Sequence, residues 1–229
     1  MMNFPEINIA DIATLPIEKF REMDYLAVEK YHLPIELMIE NAGLNLARLA
    51  ASFLPEREEI LIGIGTGNNG GGGLVAARRL AAWGYPVFLD IPDKDLKLLA
   101  ASQLEKALTF GVTIKKTKNP KLFIDAYFGF SQRLPLPVNF ENAIQQAHQL
   151  NCPKISLDLP SGFDRQTSTS LFQPDIILTL AAMKTELLPL LSEIQLFVAD
   201  LGIPLSAYQT FGATIPEVFR TSSLVKIIA

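Results

Sequence analysis

Two aspartates occupy matching places in the chain. Asp125 ends the apolar run Leu122-Phe123-Ile124, and Asp158 ends Ile155-Ser156-Leu157. A carboxylate at the end of an apolar run is costly to bury without partners. One alone would be read as a helix cap or a turn residue. Both, however, precede glycine-bearing stretches, Phe128-Gly129-Phe130 and Pro160-Ser161-Gly162, and a third segment ends in the same manner. There the β-branched run Ile60 to Ile64 meets Gly65, Thr66, Gly67, Asn68, Asn69 and then Gly70 to Gly73, before helical periodicity begins at Leu74-Val75-Ala76-Ala77-Arg78. The pattern predicts a strand, a loop almost free of side chains and a helix N-terminus. Such a loop admits a ligand close to the backbone, and its N–H groups with the helix dipole favour an anion. The glycines do not match the dinucleotide fingerprint G-x-G-x-x-G, and no Lys-Ser/Thr follows as in a P-loop. The competing reading is a flexible glycine turn with no ligand. Three polar strand ends of this kind read as one site.

Histidine and cysteine chemistry is not expected. His32 and His148 fall in or beside helices away from these ends, His32 as a helix-end residue and His148 as a surface one. One cysteine and no histidine pair at ligand spacing argue against a zinc site. Cys152 has no partner for an internal disulfide and reads as a small buried residue.

The elements that position these residues follow from periodicity. Helices are predicted over about 16–31 and 34–53, with Pro16 and Pro34 suited to first turns. Strands and helices then alternate. Strands are expected near 59–64, 86–91, 112–116, 121–127, 153–158, 174–181 and 194–200; helices near 73–83, 94–109, 138–150 and, briefly, 183–191. Continuously apolar strands such as Ile176 to Leu180 belong to a sheet covered on both faces. The fold class is therefore α/β, a three-layer α/β/α, Rossmann-like, doubly wound and mostly parallel sheet, read as a single domain over 1–229. The stretch from about Tyr208 has no clear pattern. Ligands of such sheets lie beyond the carboxyl ends of the strands.

Composition sets outer limits. Of 229 residues, 49% are hydrophobic and 19% charged, too apolar for a disordered chain. A net charge of −4, with only the short Lys115-Lys116-Thr117-Lys118 run basic, argues against a nucleic-acid partner. No stretch reaches the roughly 18 apolar residues of a membrane helix, so no membrane partner is expected. Met1-Met2-Asn3-Phe4-Pro5-Glu6 lacks a basic region before an apolar core, so no secretory signal is expected. These features point to a reducing cytoplasm.

Five segments in order carry a family resemblance. Gly67-Asn68-Asn69-Gly70-Gly71-Gly72-Gly73-Leu74-Val75-Ala76-Ala77-Arg78 is similar to the G-N-N-G-G-D-G-L-V-A-A-R loop of the NAD(P)H-hydrate epimerases, the YjeF N-terminal domain family. Ile124-Asp125-Ala126-Tyr127-Phe128-Gly129 resembles its V-D-A-x-F-G, and Asp158-Leu159-Pro160-Ser161-Gly162-Phe163-Asp164 its D-I-P-S-G-x-D. Leu37-Met38-Ile39-Glu40-Asn41-Ala42-Gly43 and Ala199-Asp200-Leu201-Gly202-Ile203-Pro204 are similar to two outer family segments.

The resemblance implies an isomerase that interconverts the R and S epimers of hydrated NADH and NADPH, a cofactor-repair reaction. It implies a potassium ion held by Asn69, Asp125 and Ser161, and oxygen-only donors suit such a hard cation. It places the substrate against Asn68, Asn69, Gly70, Gly71 and Gly72, against the loop Gly129, Phe130, Ser131, Gln132, Arg133, Leu134 and Pro135, and against Asp158. Asp158 becomes the acid/base group at the C6 hydroxyl. A separate NAD(P)H-hydrate dehydratase is the implied functional partner, since no fused dehydratase domain is expected in the chain, and family members are often homodimers. Lys184 matches a family lysine and reads either as facing a phosphate or as a surface residue.

The chain departs from the family at Gly72, where the family has aspartate. The loop after Gly129 and the segment 165–173 also lack glycines usual in the family. Two further readings therefore stand beside the epimerase. One is a catalytically impaired nucleotide-binding or interaction module, supported by Gly72. The other is a different small-molecule enzyme on the same fold, acting on another nucleotide.

Overall fold

Five central strands of the chain are apolar on both faces, and the sheet they form explains why. The computed structural model describes residues 4–229. Met1, Met2 and Asn3, the start of the stretch read for a leader, lie outside the described residues. In chain order the elements are β1 (Glu6–Asn8), β2 (Thr14–Leu15), α1 (Ile17–Glu29), α2 (Ile35–Phe53), β3 (Ile60–Ile64), α3 (Asn68–Ala82), β4 (Val87–Asp90) and α4 (Leu98–Thr109). β5 (Thr113–Ile114), β6 (Leu122–Ala126), α5 (Val138–His148), β7 (Lys154–Leu157), β8 (Ile176–Leu180), β9 (Met183–Lys184), β10 (Gln195–Ala199), α6 (Leu205–Thr210) and β11 (Leu224–Ile228) follow.

The main sheet runs β1-β11-β10-β8-β7-β6-β3-β4-β5, and β2 pairs with β9 separately. Every pairing is parallel except β10 with β11. From β3 the chain first builds outward through β4 and β5, then returns to place β6 on the other side of β3. That reversal is a topological switch point, where open α/β sheets leave a crevice at their carboxyl edge.

Strand side chains alternate between two cores. Ile60, Ile62, Ile64, Leu122, Ile124 and Ala126 pack with Leu46, Leu74 and Ala100 of α2, α3 and α4. Leu61 and Phe123 face the opposite side, against Phe140 and Ile144 of α5 and Phe172. Helix α1 lies over the carboxyl edge, where Phe20, Met23 and Ala27 join Met38, Ala42 and Tyr208.

The predicted sheet is observed, with one consequential difference at the glycine run. Helix α3 begins at Asn68, so Gly70 to Gly73 form its first turns and not a loop before it. Glycine in a helix costs about 1 kcal/mol relative to alanine. Close packing requires it here: a Cβ on Gly73 would stand 2.5 Å from Ala126 Cβ, and one on Gly70 would stand 1.9 Å from Gly65 O. Elsewhere, α4 starts at Leu98, and the stretch expected as a helix near 183–191 is β9 followed by a 3-10 turn over Thr185–Leu190 containing Pro189. The unplaced C-terminal stretch supplies α6 and the antiparallel β11, with β1 beside it at the edge. Cys152 is half-buried, and burial raises its thiol pKa.

Candidate functional site

Asp158 follows β7 directly and adopts φ 70°, a left-handed conformation that non-glycine residues rarely hold. Its backbone N–H is fixed on Leu178 O at 2.8 Å. The turn aims the carboxylate across the sheet edge, where Oδ2 is hydrogen-bonded and Oδ1 is ion-paired without a hydrogen bond. Oδ2 accepts a 2.7 Å hydrogen bond from Phe130 N, and Lys184 Nζ stands 2.8 Å from Oδ1. Lys184 is fully buried. It also donates to Thr179 Oγ1 at 2.8 Å and lies 3.8 Å over the Phe20 ring. The expected phosphate-facing or surface lysine is thus the buried counter-ion of Asp158. Phosphate is out of its reach because the carboxylate holds it.

Gly129 is needed where it is. A Cβ there would stand 2.6 Å from Asp158 Oδ2 and 3.0 Å from Asn69 Oδ1. Only a bare backbone lets loop 129–135 pass between the acid and the amide. Gln132 ties that loop to the next strand end: its Nε2 donates to Pro160 O at 3.1 Å, and its Oε1 accepts from Gly162 N at 2.7 Å.

Asp125 is placed differently. It is fully buried, and its four lone-pair positions are filled by Ser161 Oγ (2.6 Å), Ser161 N (2.9 Å), Ser156 Oγ (2.9 Å) and Tyr127 N (3.2 Å). Burial lifts its pKa from 3.8 to about 6, with the bonds from Ser161, Ser156 and Tyr127 pulling the other way. Among the described residues no lysine or arginine pairs with it. Ser161 Oγ also accepts from Phe128 N at 3.2 Å. The structure therefore joins Asp125 to Ser161, while Asn69 meets Gly129 and so lies close to Asp158. The Asn69 Nδ2 atom is buried without a hydrogen-bond partner.

A cavity of about 520 Å³ opens over these groups, within the range of small-molecule sites. Asn68, Asn69, Gly72, Gly129, Phe130, Ser131, Gln132, Arg133, Pro135 and Asp158 line it as the sequence indicated; Gly70, Gly71 and Leu134 do not reach its wall. Asp125 and Ser161 are not on the wall either. The N-terminal end of α3 opens on the cavity through Gly67, Asn68 and Asn69, and Lys97 lines it after bonding Thr66 O through its N–H at 2.9 Å. Unpaired helix N–H groups with two cations nearby, Lys97 and Arg133, favour an anionic ligand.

Two lining residues escaped the sequence reading. Phe20 and Asp24 come from α1, one turn apart, and both face the cavity. Burial, then the charge of Asp158, raises the Asp24 pKa from 3.8 to about 6, against the pull of Lys184. The signal was present: Ile17, Phe20, Asp24 and Ala27 fall on one helical face, and an acid on an apolar face asks for a reason.

Fold and site together define a doubly wound α/β domain with a small-molecule cavity at its topological switch point. Residues 35–186 match the family described as YjeF-related protein N-terminus, and the chain belongs to it. A relative from Dehalogenimonas lykanthroporepellens, named NAD(P)H-hydrate epimerase, is 35% identical over 213 residues, spanning 88% of this chain and 86% of its own. Another of that name, from Rhodopirellula baltica, is 28% identical over 229 residues, spanning 89% and 93%. The crystal structure of the yeast protein ynu0 (YNL200c) has the same fold, with a TM-score of 0.82 at 21% identity, covering 94% of this chain and all of that one.

Proposed function

We propose that this chain is an NAD(P)H-hydrate epimerase, interconverting the R and S epimers of hydrated NADH and NADPH with Asp158 as an acid/base group. The observation that carries the reading is Asp158 on the cavity wall, ion-paired from behind by the buried Lys184, in a chain whose relatives bear that name. The substrate has a hydroxyl on C6, next to ring nitrogen N1. Exchange of that hydroxyl between faces needs a proton delivered as it leaves and removed as water returns. Each Asp158 oxygen keeps a lone pair beyond its present partner, so it can take that proton. Lys184 offsets the buried charge in the meantime. The N-terminal end of α3, with Lys97 and Arg133, suits the phosphates of the dinucleotide.

As arranged, Asn69, Asp125 and Ser161 do not fit the potassium ion expected of them. The acceptors of Asp125 are all taken by protein donors, and the buried Asn69 atom without a partner is Nδ2, a donor that cannot ligate a cation. The S epimer passes to a separate dehydratase.

The test couples that dehydratase to consumption of R-hydrated NADPH, and compares the rate with spontaneous epimerisation. The wild type is expected to be faster, and Asp158→Asn to lose about 10²–10⁴-fold with ligand binding kept. The second reading, an impaired nucleotide-binding module, rests on Gly72 and wins if the wild type only matches the spontaneous rate.

A further inference from the structure

Asp158 is held at Oδ2 by Phe130 N–H and ion-paired at Oδ1 with the buried Lys184. A carboxylate clamped in this way cannot follow a leaving oxygen from one face of a ring to the other. An epimerisation that loses water from one face and regains it on the opposite face therefore calls for a second proton carrier. The titratable residues on the cavity wall are Asp24, Lys97, Tyr127, Arg133 and Asp158. The Tyr127 hydroxyl is committed to Asp90 Oδ2 at 2.8 Å, and its pKa is raised well above its ordinary value, chiefly by burial. Lys97 and Arg133 stand as cations near the α3 end that suits a ligand's anionic groups.

We infer that Asp24 is the second carboxyl of the reaction, serving the ring face that Asp158 does not. The inference rests on the epimerase reading. Asp24 makes no hydrogen bond or ion pair among the described residues, and it reaches the cavity from a helix, whereas Asp158 reaches it from a strand end. Phe20, one turn earlier on α1, fixes the approach: its ring carries Lys184 Nζ at 3.8 Å and meets the Phe130 ring edge-on at 5.1 Å. The charges acting on Asp24 are those of Asp158 and Lys184. Helices α2 and α6, packed against this region, present apolar Met38, Ala42 and Ala207, and Tyr208, whose hydroxyl is bound to Ala181 O.

The step balances without any further reagent. Asp24 gives its proton to the C6 oxygen, the C6–O bond breaks with its electron pair on oxygen, and water leaves. The N1 lone pair forms N1=C6. A water oxygen then bonds C6 on the other face, the N1=C6 pair returns to N1, and Asp158 takes the released proton. The opposite direction reverses the two roles, so the working enzyme carries one proton between the two carboxyls.

Because the Asp24 carboxyl titrates at about 6, kcat/KM in both directions should fall as pH rises past that value. Asp24→Asn should cut kcat by about 10²–10⁴-fold, change KM by less than about threefold, and keep the wild-type melting temperature. Asp24→Glu, retaining the acid, should recover part of the rate and the pH dependence. An Asn variant within about threefold of wild type, or one keeping the alkaline fall, overturns the inference alone. A wild type no faster than the spontaneous reaction overturns it together with the epimerase reading, so the two failures are separable.

Discussion

Asp125 and Asp158 end neighbouring parallel strands and look alike in sequence, yet the structure gives them opposite surroundings. Asp125 is closed: four protein hydrogen bonds consume its acceptors, it has no exposed surface, and no lysine or arginine among the described residues pairs with it. Asp158 is buried as deeply by area, but it borders a cavity, sits at φ 70° and is charge-paired. One carboxylate joins strand ends and the other is open to a cavity. Burial alone therefore does not separate a scaffolding acid from a working one. What separates them is whether backbone and hydroxyl donors have used up the lone pairs.

The strongest way to break this contrast is Lys184→Met. Removing one partner of a buried pair typically costs about 3–5 kcal/mol, because the remaining charge is stranded. The melting temperature and the denaturant midpoint should both fall by that measure. Adding Asp158→Asn in the same chain should return much of the loss, since nothing charged is then left unpaired. A single variant that loses under about 1 kcal/mol would mean that Asp158 has another counter-charge or is solvated, and the contrast with Asp125 would collapse.

The sequence revealed the alternation, the doubly wound class of the sheet and both acids, because long apolar runs and turn chemistry are local signals. It misplaced the start of α3, since four consecutive glycines read locally as a loop. Their helical state is decided by what lies 2.5 Å from Gly73 and 1.9 Å from Gly70, which only the fold supplies. Strand β1 is a three-residue edge strand and β11 lies between it and β10; both escaped because their pairing reaches across nearly the whole chain length. The partner of Lys184 was invisible for a related reason: nothing local says that a lysine after β8 will be covered by Phe20 and turned onto a strand end.

A smaller effect should come from Asp125→Asn, and its pH dependence sharpens the comparison. The folded-state pKa, about 6, lies above the ordinary value of 3.8, because burial disfavours the charge. The folded protein thus keeps this proton where the unfolded chain has lost it. The contribution is fully present below about pH 4 and disappears as pH rises to about 6, a span worth about 3 kcal/mol at most. The Asn variant should lack that slope, so its stability relative to wild type should improve from pH 4 to pH 6.5. Equal slopes in both proteins would remove Asp125 from the account.

The smallest effect is expected at Gly72, which touches the working side of the contrast. It lies within α3, with no positive φ, and a Cβ there would meet Leu157 Cδ2 at 3.1 Å and Ala42 Cβ at 3.9 Å. The helix forms without a carboxylate at this position, so an aspartate is not needed to shape the turn. Gly72→Asp asks the Leu157 side-chain end to shift by a few tenths of an ångström and sets an acceptor on the cavity wall. A carboxylate near a helix N-terminus gains about 0.3–1 kcal/mol. One added bond to a ligand hydroxyl should tighten hydrated NADPH by about tenfold, or about 1.4 kcal/mol, with kcat within about threefold of wild type. Titration with the substrate and the dehydratase-coupled rate measure the two separately. A gain in kcat beyond about a hundredfold would show that the glycine cripples an otherwise intact pair of acids, and the nucleotide-binding module would then be the better description of the natural chain.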